Sequence, residues 1–91
     1  MIRVFVLYPQ APEPERYAEH VELSRREVPE ATIRHGKIFG SPQGEPDFKR
    51  YFEYEFDDMD AFRNAREGLT KGAEDAIAMG IPFQVYFAEV E

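Results

Sequence analysis

The stretch FKRYFEYEF, Phe48–Phe56, has the two-residue period of a β-strand. Every second residue reads Phe, Arg, Phe, Tyr, Phe, and the residues between read Lys, Tyr, Glu, Glu. Because successive side chains of a strand point to opposite faces of its sheet, one face is mostly aromatic and the other mostly charged. This pattern predicts that the aromatic face packs into the core, while two carboxylates and a tyrosine lie on the other face.

The remaining elements follow from hydrophobic period and from prolines and glycines. Three further strands are predicted at Ile2–Tyr8, Thr32–Phe39 and Pro82–Val90. A first helix is predicted at Glu15–Val28. A second helix begins after Asp57 or Asp58 and is predicted to break near Thr70, because Gly68 and Gly72 weaken it, before a short helical piece at Ala73–Met79.

The order β-α-β-β-α-β is that of the α+β ferredoxin-like fold. Right-handed crossovers place both helices on one face of a four-stranded antiparallel sheet. In the first helix Tyr17, Val21, Ser24 and Val28 recur at spacings of four, three and four, which predicts one inward stripe. The length of 91 residues fits a single domain covering residues 1–91.

Composition narrows the range of partners. The formal net charge is −7 and no run of Lys or Arg interrupts it, which disfavours nucleic acid and anionic membranes. The chain has no cysteine, so disulfides and thiolate metal sites are excluded, and a cytoplasmic setting is expected. No segment has the ~18 apolar residues that a membrane span needs.

Two helices cover only one face of the sheet, so the opposite face needs another cover. An apolar centre with a polar surround is typical of an interface, and we expect a homodimer. The alternative is an exposed face on a monomer. The residues predicted on this face are Arg3, Phe5, Leu7, Tyr51, Glu53, Glu55, Gln84 and Tyr86.

Four local motifs resemble the EthD-like family of the dimeric α+β barrel superfamily. They are VLYP at Val6–Pro9, ERYAEHVEL at Glu15–Leu23, YEFDDMDAF at Tyr54–Phe62 and GAEDAIAMG at Gly72–Gly80. Two positions depart from the family pattern, since Glu22 replaces a proline and Pro29-Glu30 replaces Pro-Gly. The resemblance implies a dimer whose two sheets form a barrel, with a small-molecule pocket between sheet and helices. Relatives in the superfamily include cofactor-free monooxygenases and isomerases, haem-dependent enzymes and proteins with no assigned reaction.

If the pocket lies where the resemblance implies, His20 is the candidate catalytic base, because a neutral imidazole accepts protons near pH 7. Tyr8 and Tyr17 are candidates to hold a substrate oxygen, and Phe52 and Tyr54 to form an apolar floor. The alternative for His20 is a hydrogen bond to a loop carbonyl. Asp75 either orients His20 within the site or caps the short helix.

Other titratable groups carry weaker signals. Glu53 and Glu55 are either an acid/base pair or partners in ion pairs with Arg3, Arg34 or Lys37. His35 is predicted on the surface. No metal-ligand spacing is present and we expect no cofactor; haem would need His20 or His35 as axial ligand, and no other feature supports it.

The sequence therefore predicts a homodimeric protein that binds a small apolar organic compound. As an enzyme it would carry out cofactor-free proton transfer or oxygenation on an apolar oxygenated compound. The alternative is a non-catalytic binding or accessory module.

Overall fold

The computed structural model describes residues 1–91 and has the predicted element order, with the second helix in two parts. The strands are β1 (Ile2–Tyr8), β2 (Thr32–Lys37), β3 (Arg50–Phe56) and β4 (Gln84–Glu89), and the helices are α1 (Pro14–Glu27), α2 (Met59–Asn64) and α3 (Arg66–Ala78). The sheet order is β2-β3-β1-β4, and every neighbouring pair is antiparallel. The ferredoxin-like βαββαβ architecture is thus confirmed.

The predicted facing of β3 is confirmed. Phe52, Tyr54 and Phe56 are buried against the helices, and the register pairs Tyr54 with Val4 of the central strand β1. Every second residue of β1, from Ile2 to Tyr8, joins the same core. Two strands are shorter in the structure than in the prediction, which placed them at Thr32–Phe39 and Phe48–Phe56. The reason is that the last residue pair in the ladder between β2 and β3 joins Lys37 to Arg50.

Helix α1 begins at Pro14, whose missing N–H costs nothing in the first turn. The carboxylate of Glu13 caps the helix by accepting hydrogen bonds from the N–H groups of residues 15 and 16. The inward stripe is confirmed, since all of its members are buried: Tyr17, Val21, Ser24 and Val28.

The predicted helix break near Thr70 is wrong: the interruption lies at Ala65, whose N–H is shared between the carbonyls of residues 61 and 62. Gly68 and Gly72 instead lie within α3 and are buried. A Cβ on Gly68 would lie 1.9 Å from the carbonyl oxygen of Glu27, and one on Gly72 would lie 2.9 Å from the hydroxyl of Tyr54. These glycines therefore let α3 approach α1 and the sheet closely.

The open face of the sheet, opposite the helices, carries the predicted set: Arg3, Phe5, Leu7, Tyr51, Glu53, Glu55, Gln84 and Tyr86. Arg34 of β2 also lies there, and its guanidinium is 3.5 Å from a carboxylate oxygen of Glu53 and 3.3 Å from one of Glu55. Arg3 adds a longer pair with Glu55 at 3.9 Å. Lys37 is not available to these carboxylates, because the two-residue alternation turns it to the helix face.

The helices cover their face of the sheet unevenly. Because α3 packs closely against α1, the helix-facing side of the edge strand β4 is left bare. Val85 and Phe87 point to this side and remain 42% and 69% exposed. A cleft between α3 and strands β1 and β4 results. None of the helices combines the length and the apolar character needed to cross a membrane.

Candidate functional site

The cleft has an apolar wall. It encloses about 480 Å³, counted out to its open mouth, and ten of its twelve lining residues are hydrophobic. The lining residues are Val4, Val6, Tyr8, His20, Tyr54, Leu69, Gly72, Ala73, Ala76, Phe83, Val85 and Phe87. An apolar cavity with a few converging polar groups is the usual form of a small-molecule site.

His20 brings a titratable group from α1 to this wall and is only 3% exposed. Its Nδ1 lies 2.8 Å from Oδ2 of Asp75, which comes from the last turn of α3. Of the two roles predicted for Asp75, orienting His20 is thus the one that this contact supports. Capping is excluded, because α3 begins at Arg66, nine residues before Asp75. Asp75 is not on the cleft wall, and it reaches His20 from behind.

Arg16 fixes the carboxylate of Asp75. Its two terminal nitrogens donate hydrogen bonds of 3.1 Å to Oδ2 and 2.8 Å to Oδ1, and one of them also donates to the backbone carbonyl of Asp75 at 3.4 Å. These hydrogen bonds are the main cause that lowers the pKa of Asp75; partial burial opposes them and the bond to His20 supports them. The carboxylate is therefore ionised at neutral pH.

The ionised carboxylate decides the tautomer of His20. An ionised Asp only accepts hydrogen bonds, so Nδ1 of His20 carries the proton and its N–H donates a hydrogen bond to Asp75. In the tautomer that this contact selects, the lone pair is on Nε2, which makes no hydrogen bond within the chain. Since His20 lines the cleft, this arrangement supplies a base at an apolar wall.

Tyr8 supplies a second polar group. Its side chain is fully buried at the end of β1, lines the cleft, and has a hydroxyl with no hydrogen-bond partner in the chain. Burial, followed by the nearby Tyr17, raises the pKa of Tyr8 well above its usual range, so the hydroxyl stays protonated. A buried hydroxyl without a partner is available to a ligand oxygen.

Tyr54 forms part of the wall, as predicted for the floor. Its hydroxyl lies 3.4 Å from Oγ of Ser24, a long contact that ties β3 to α1. Burial is the main cause that raises the pKa of Tyr54, so this hydroxyl is also neutral. The absent side chain of Gly72 leaves the space that the hydroxyl occupies.

Tyr17 and Phe52, which were predicted to contact substrate, do not line the cleft. Phe52 is 1% exposed, and its ring centroid lies 5.5 Å from that of His20. Tyr17 packs edge-on against Tyr8, and the guanidinium of Arg50 lies 4.9 Å from its ring centroid. Burial raises the pKa of Tyr17 to about 12. Both rings thus support the wall from behind.

Arg16 is a site residue that the sequence does not predict. Its one signal is the four-residue spacing from His20, which places both side chains on the same side of α1. The contribution of Phe87 and Val85 to the cleft is not predicted either, because an exposed apolar strand residue has the same sequence pattern as a core residue.

The other titratable candidates lie away from the cleft. Glu53 and Glu55 are on the open face and pair with Arg34, as the ion-pair alternative predicted. His35 is an exposed residue that stacks on Phe52; desolvation lowers its pKa, and the charges of Arg25 and Arg50 add to this. No three His, Asp or Glu side chains lie close enough to hold a metal ion.

Comparison with solved structures shows which proteins share this fold. An EthD-family protein of Bacillus halodurans matches with a TM-score of 0.77 and 23% identity, over 100% of this chain and 99% of that one. A dimeric ferredoxin-like protein of unknown function from Jannaschia sp. matches with a TM-score of 0.71 and 19% identity, over 98% of each chain. SnoaB, a cofactor-independent oxygenase from Streptomyces nogalater, matches with a TM-score of 0.57 and 18% identity, over 98% of this chain and 90% of that one.

The match to EthD-family and dimeric ferredoxin-like structures covers the full length of the chain and establishes its fold. No model of a known protein family matches the sequence, and no curated protein is similar to it. Because one fold carries many functions, the function of this protein depends on the residues of the cleft and not on the fold alone.

Proposed function

We propose that this protein is a homodimer that binds a small apolar oxygenated compound in the cleft and catalyses cofactor-free proton transfer on it. The observation that carries the proposal is the 2.8 Å contact between Nδ1 of His20 and the ionised Asp75, at the wall of an apolar cleft. A base of this kind contributes typically 10²–10⁴-fold to a proton-transfer step.

In the proposed reaction Nε2 of His20 takes a proton from an acidic C–H or O–H group of the substrate. The imidazolium that forms is stabilised by Asp75, which Arg16 holds in place. The hydroxyl of Tyr8 donates a hydrogen bond to the developing oxyanion. Return of the proton to another atom of the substrate gives an isomerisation. Where the proton came from carbon, the electron pair of the carbanion can instead form a C–O bond to O₂, which is reduced to the peroxide level, and the imidazolium returns its proton to the outer oxygen to give a hydroperoxide. SnoaB, which has the same fold, is described as a cofactor-independent oxygenase.

The proposed dimer forms through the open face of the sheet. Phe5 and Leu7 are half-buried on the central strand, with the ion pairs of Arg34, Glu53 and Glu55 at one side. An apolar centre with a polar rim suits an interface. The Jannaschia protein of the same fold is described as dimeric.

A direct test measures hydrogen exchange rather than a complete reaction. Apolar 1,3-diketones and polycyclic phenols are incubated with the protein in D₂O, and loss of the acidic C–H signal is followed by NMR. The wild type and His35→Ala should accelerate exchange for at least one compound, whereas His20→Ala should not. Equal acceleration by wild type and His20→Ala would remove His20 from the mechanism.

A second candidate function is non-catalytic binding. The observation that favours it is the open edge of the cleft, where Phe87 is 69% exposed, because proton abstraction from carbon benefits from a site closed to water. Saturable binding of a compound, together with no acceleration of its exchange by the wild type, would establish this function instead.

A further inference from the structure

The cleft continues beyond the apolar wall around His20. A second concavity at the junction of α2 and α3 shares Leu69, Ala73 and Phe87 with it, so the two adjoin along these side chains and are together called the groove. The inner end of this groove carries His20 and Tyr8. Its outer end carries two cations, Arg63 and Arg66.

The turn at Ala65 brings these two arginines to the groove. Arg63 lies in the last turn of α2 and Arg66 is the first residue of α3, so they flank the interruption three residues apart. Residues three apart on helical backbone lie on one side of it. Both side chains line the outer concavity together with the apolar Phe62.

Neither Arg63 nor Arg66 forms an ion pair, in a chain whose formal net charge is −7. Two acidic residues close to them in sequence have other contacts. Glu67 pairs with Lys71 at 4.0 Å, and Asp58 accepts a hydrogen bond from the N–H of Ala61. No carboxylate therefore lies within 4.0 Å of either guanidinium, so both cations at the outer end of the groove are free to pair with an anionic group of a ligand.

From this juxtaposition of an apolar groove with two unpaired arginines, we propose that the ligand is an amphipathic oxyanion. Its apolar body covers Phe87 and fills the groove, and its terminal carboxylate or phosphate ester pairs with Arg63 and Arg66. The guanidinium fork matches both kinds of oxyanion. This inference names the substrate class of the site and rests on the proposed function for the role of the cleft.

The geometry separates the charged end of the ligand from the reacting end. Arg66 and Asp75 are nine positions apart along α3, which is a rise of about 13.5 Å. The arginines are thus too far from His20 to take part in the chemistry. They are specificity-determining residues, whose loss should raise KM and leave kcat unchanged.

The test compares binding of decanoate, decyl phosphate, decanol and decyltrimethylammonium, which share one apolar chain and differ in the end group. Dissociation constants are measured by calorimetry at low salt. The wild type should bind at least one anion roughly tenfold more tightly than decanol, and the cation more weakly than decanol. The tighter of the two anions identifies the oxyanion that the groove prefers.

Two double variants isolate the contribution of the arginines. Arg63→Gln with Arg66→Gln should abolish the preference for the anion while retaining the affinity for decanol. The matched control is Arg25→Gln with Lys37→Gln, which removes two cations that also lack ion pairs but do not line the groove. The control should retain the preference.

Equal binding of decanoate, decyl phosphate and decanol by the wild type would overturn the inference, and this result does not depend on how any variant folds. The apolar cleft of the proposed function would still stand in that case. If none of the four probes bound, the cleft itself would fail as a ligand site, and both proposals would fall.

Discussion

Nδ1 of His20 lies 2.8 Å from Oδ2 of Asp75, although 55 residues separate the two in the chain. The contact joins α1 to the last turn of α3 and fixes which ring nitrogen of His20 carries the proton. The contact lies beside the apolar cleft, which is open because α3 does not cover β4. Four consequences of this arrangement and of the surrounding fold can be measured.

The first prediction is that the stabilisation of the fold by Asp75 depends on pH. In the folded protein the pKa of Asp75 is lowered, mainly by its hydrogen bonds to Arg16, whereas in the unfolded chain it returns to about 3.9. The interaction therefore stabilises the folded state fully above the unfolded pKa, and this stabilisation is lost as pH falls through the folded pKa.

The free energy of unfolding of the wild type should exceed that of Asp75→Asn at pH 7, and the difference between the two should narrow below about pH 4. Urea unfolding at several pH values measures it; a difference that is constant down to pH 2.5 would contradict the assigned ion pair.

The second concerns Tyr8. Its buried hydroxyl has no partner in the chain, so Tyr8→Phe removes an unsatisfied group. The free energy of unfolding should rise by about 1 kcal/mol, while proton exchange on a responsive compound should slow. Tyr54→Phe is the matched control, because its hydroxyl has a contact with Ser24 and should not give the same gain. A loss of stability in Tyr8→Phe would show that the hydroxyl is already engaged.

The third prediction tests the close approach of α3 to α1 at Gly68. Gly→Ala in an open helix normally stabilises by up to about 1 kcal/mol. Gly68→Ala should instead cost about 1–3 kcal/mol, because the added Cβ would meet the carbonyl oxygen of Glu27. Gly40→Ala is the control, since nothing lies within 4 Å of the position where its Cβ would be. Thermal unfolding measures both, and equal melting temperatures would show that α3 stands further from α1.

The fourth concerns the proposed dimer. Leu7→Glu places an uncompensated charge at the centre of the open face, which should weaken association roughly 100-fold or more. Ala78→Glu adds the same charge at an exposed position on α3 and should leave association unchanged. Analytical ultracentrifugation over a range of concentrations measures both. The wild type should sediment as a dimer, and a Leu7→Glu variant that sediments as the wild type does would contradict the proposed interface on the open face.

Much of the fold could be predicted because two patterns are strong in this sequence. The alternation in β3 and the inward stripe of α1 each assign a buried face, and Phe52, Tyr54 and Val21 all follow it. Gly68 was misread because a glycine that weakens a helix and one that allows a close approach have the same sequence signal. Only the packing partner, the carbonyl of Glu27, distinguishes them.

The site could be predicted only in part. The residue type of His20 and its position on α1 make it a candidate, and the family resemblance adds to this, but the sequence does not decide between the two alternatives for Asp75. The bidentate contact of Arg16 with Asp75 spans 59 residues and leaves no local pattern. Tyr17 and Phe52 have the residue types of a ligand pocket, but neither lines the cleft, because Tyr17 of α1 packs edge-on against Phe52 of β3 behind the wall.

The most direct test of the central claim is a crystal structure of the wild-type protein with a compound whose exchange it accelerates. We expect the reacting atom in the cleft, within about 3.2 Å of Nε2 of His20, with the substrate oxygen at the hydroxyl of Tyr8. A compound bound on the open face of the sheet, or one in the cleft with its acidic group turned away from Nε2, would contradict the account.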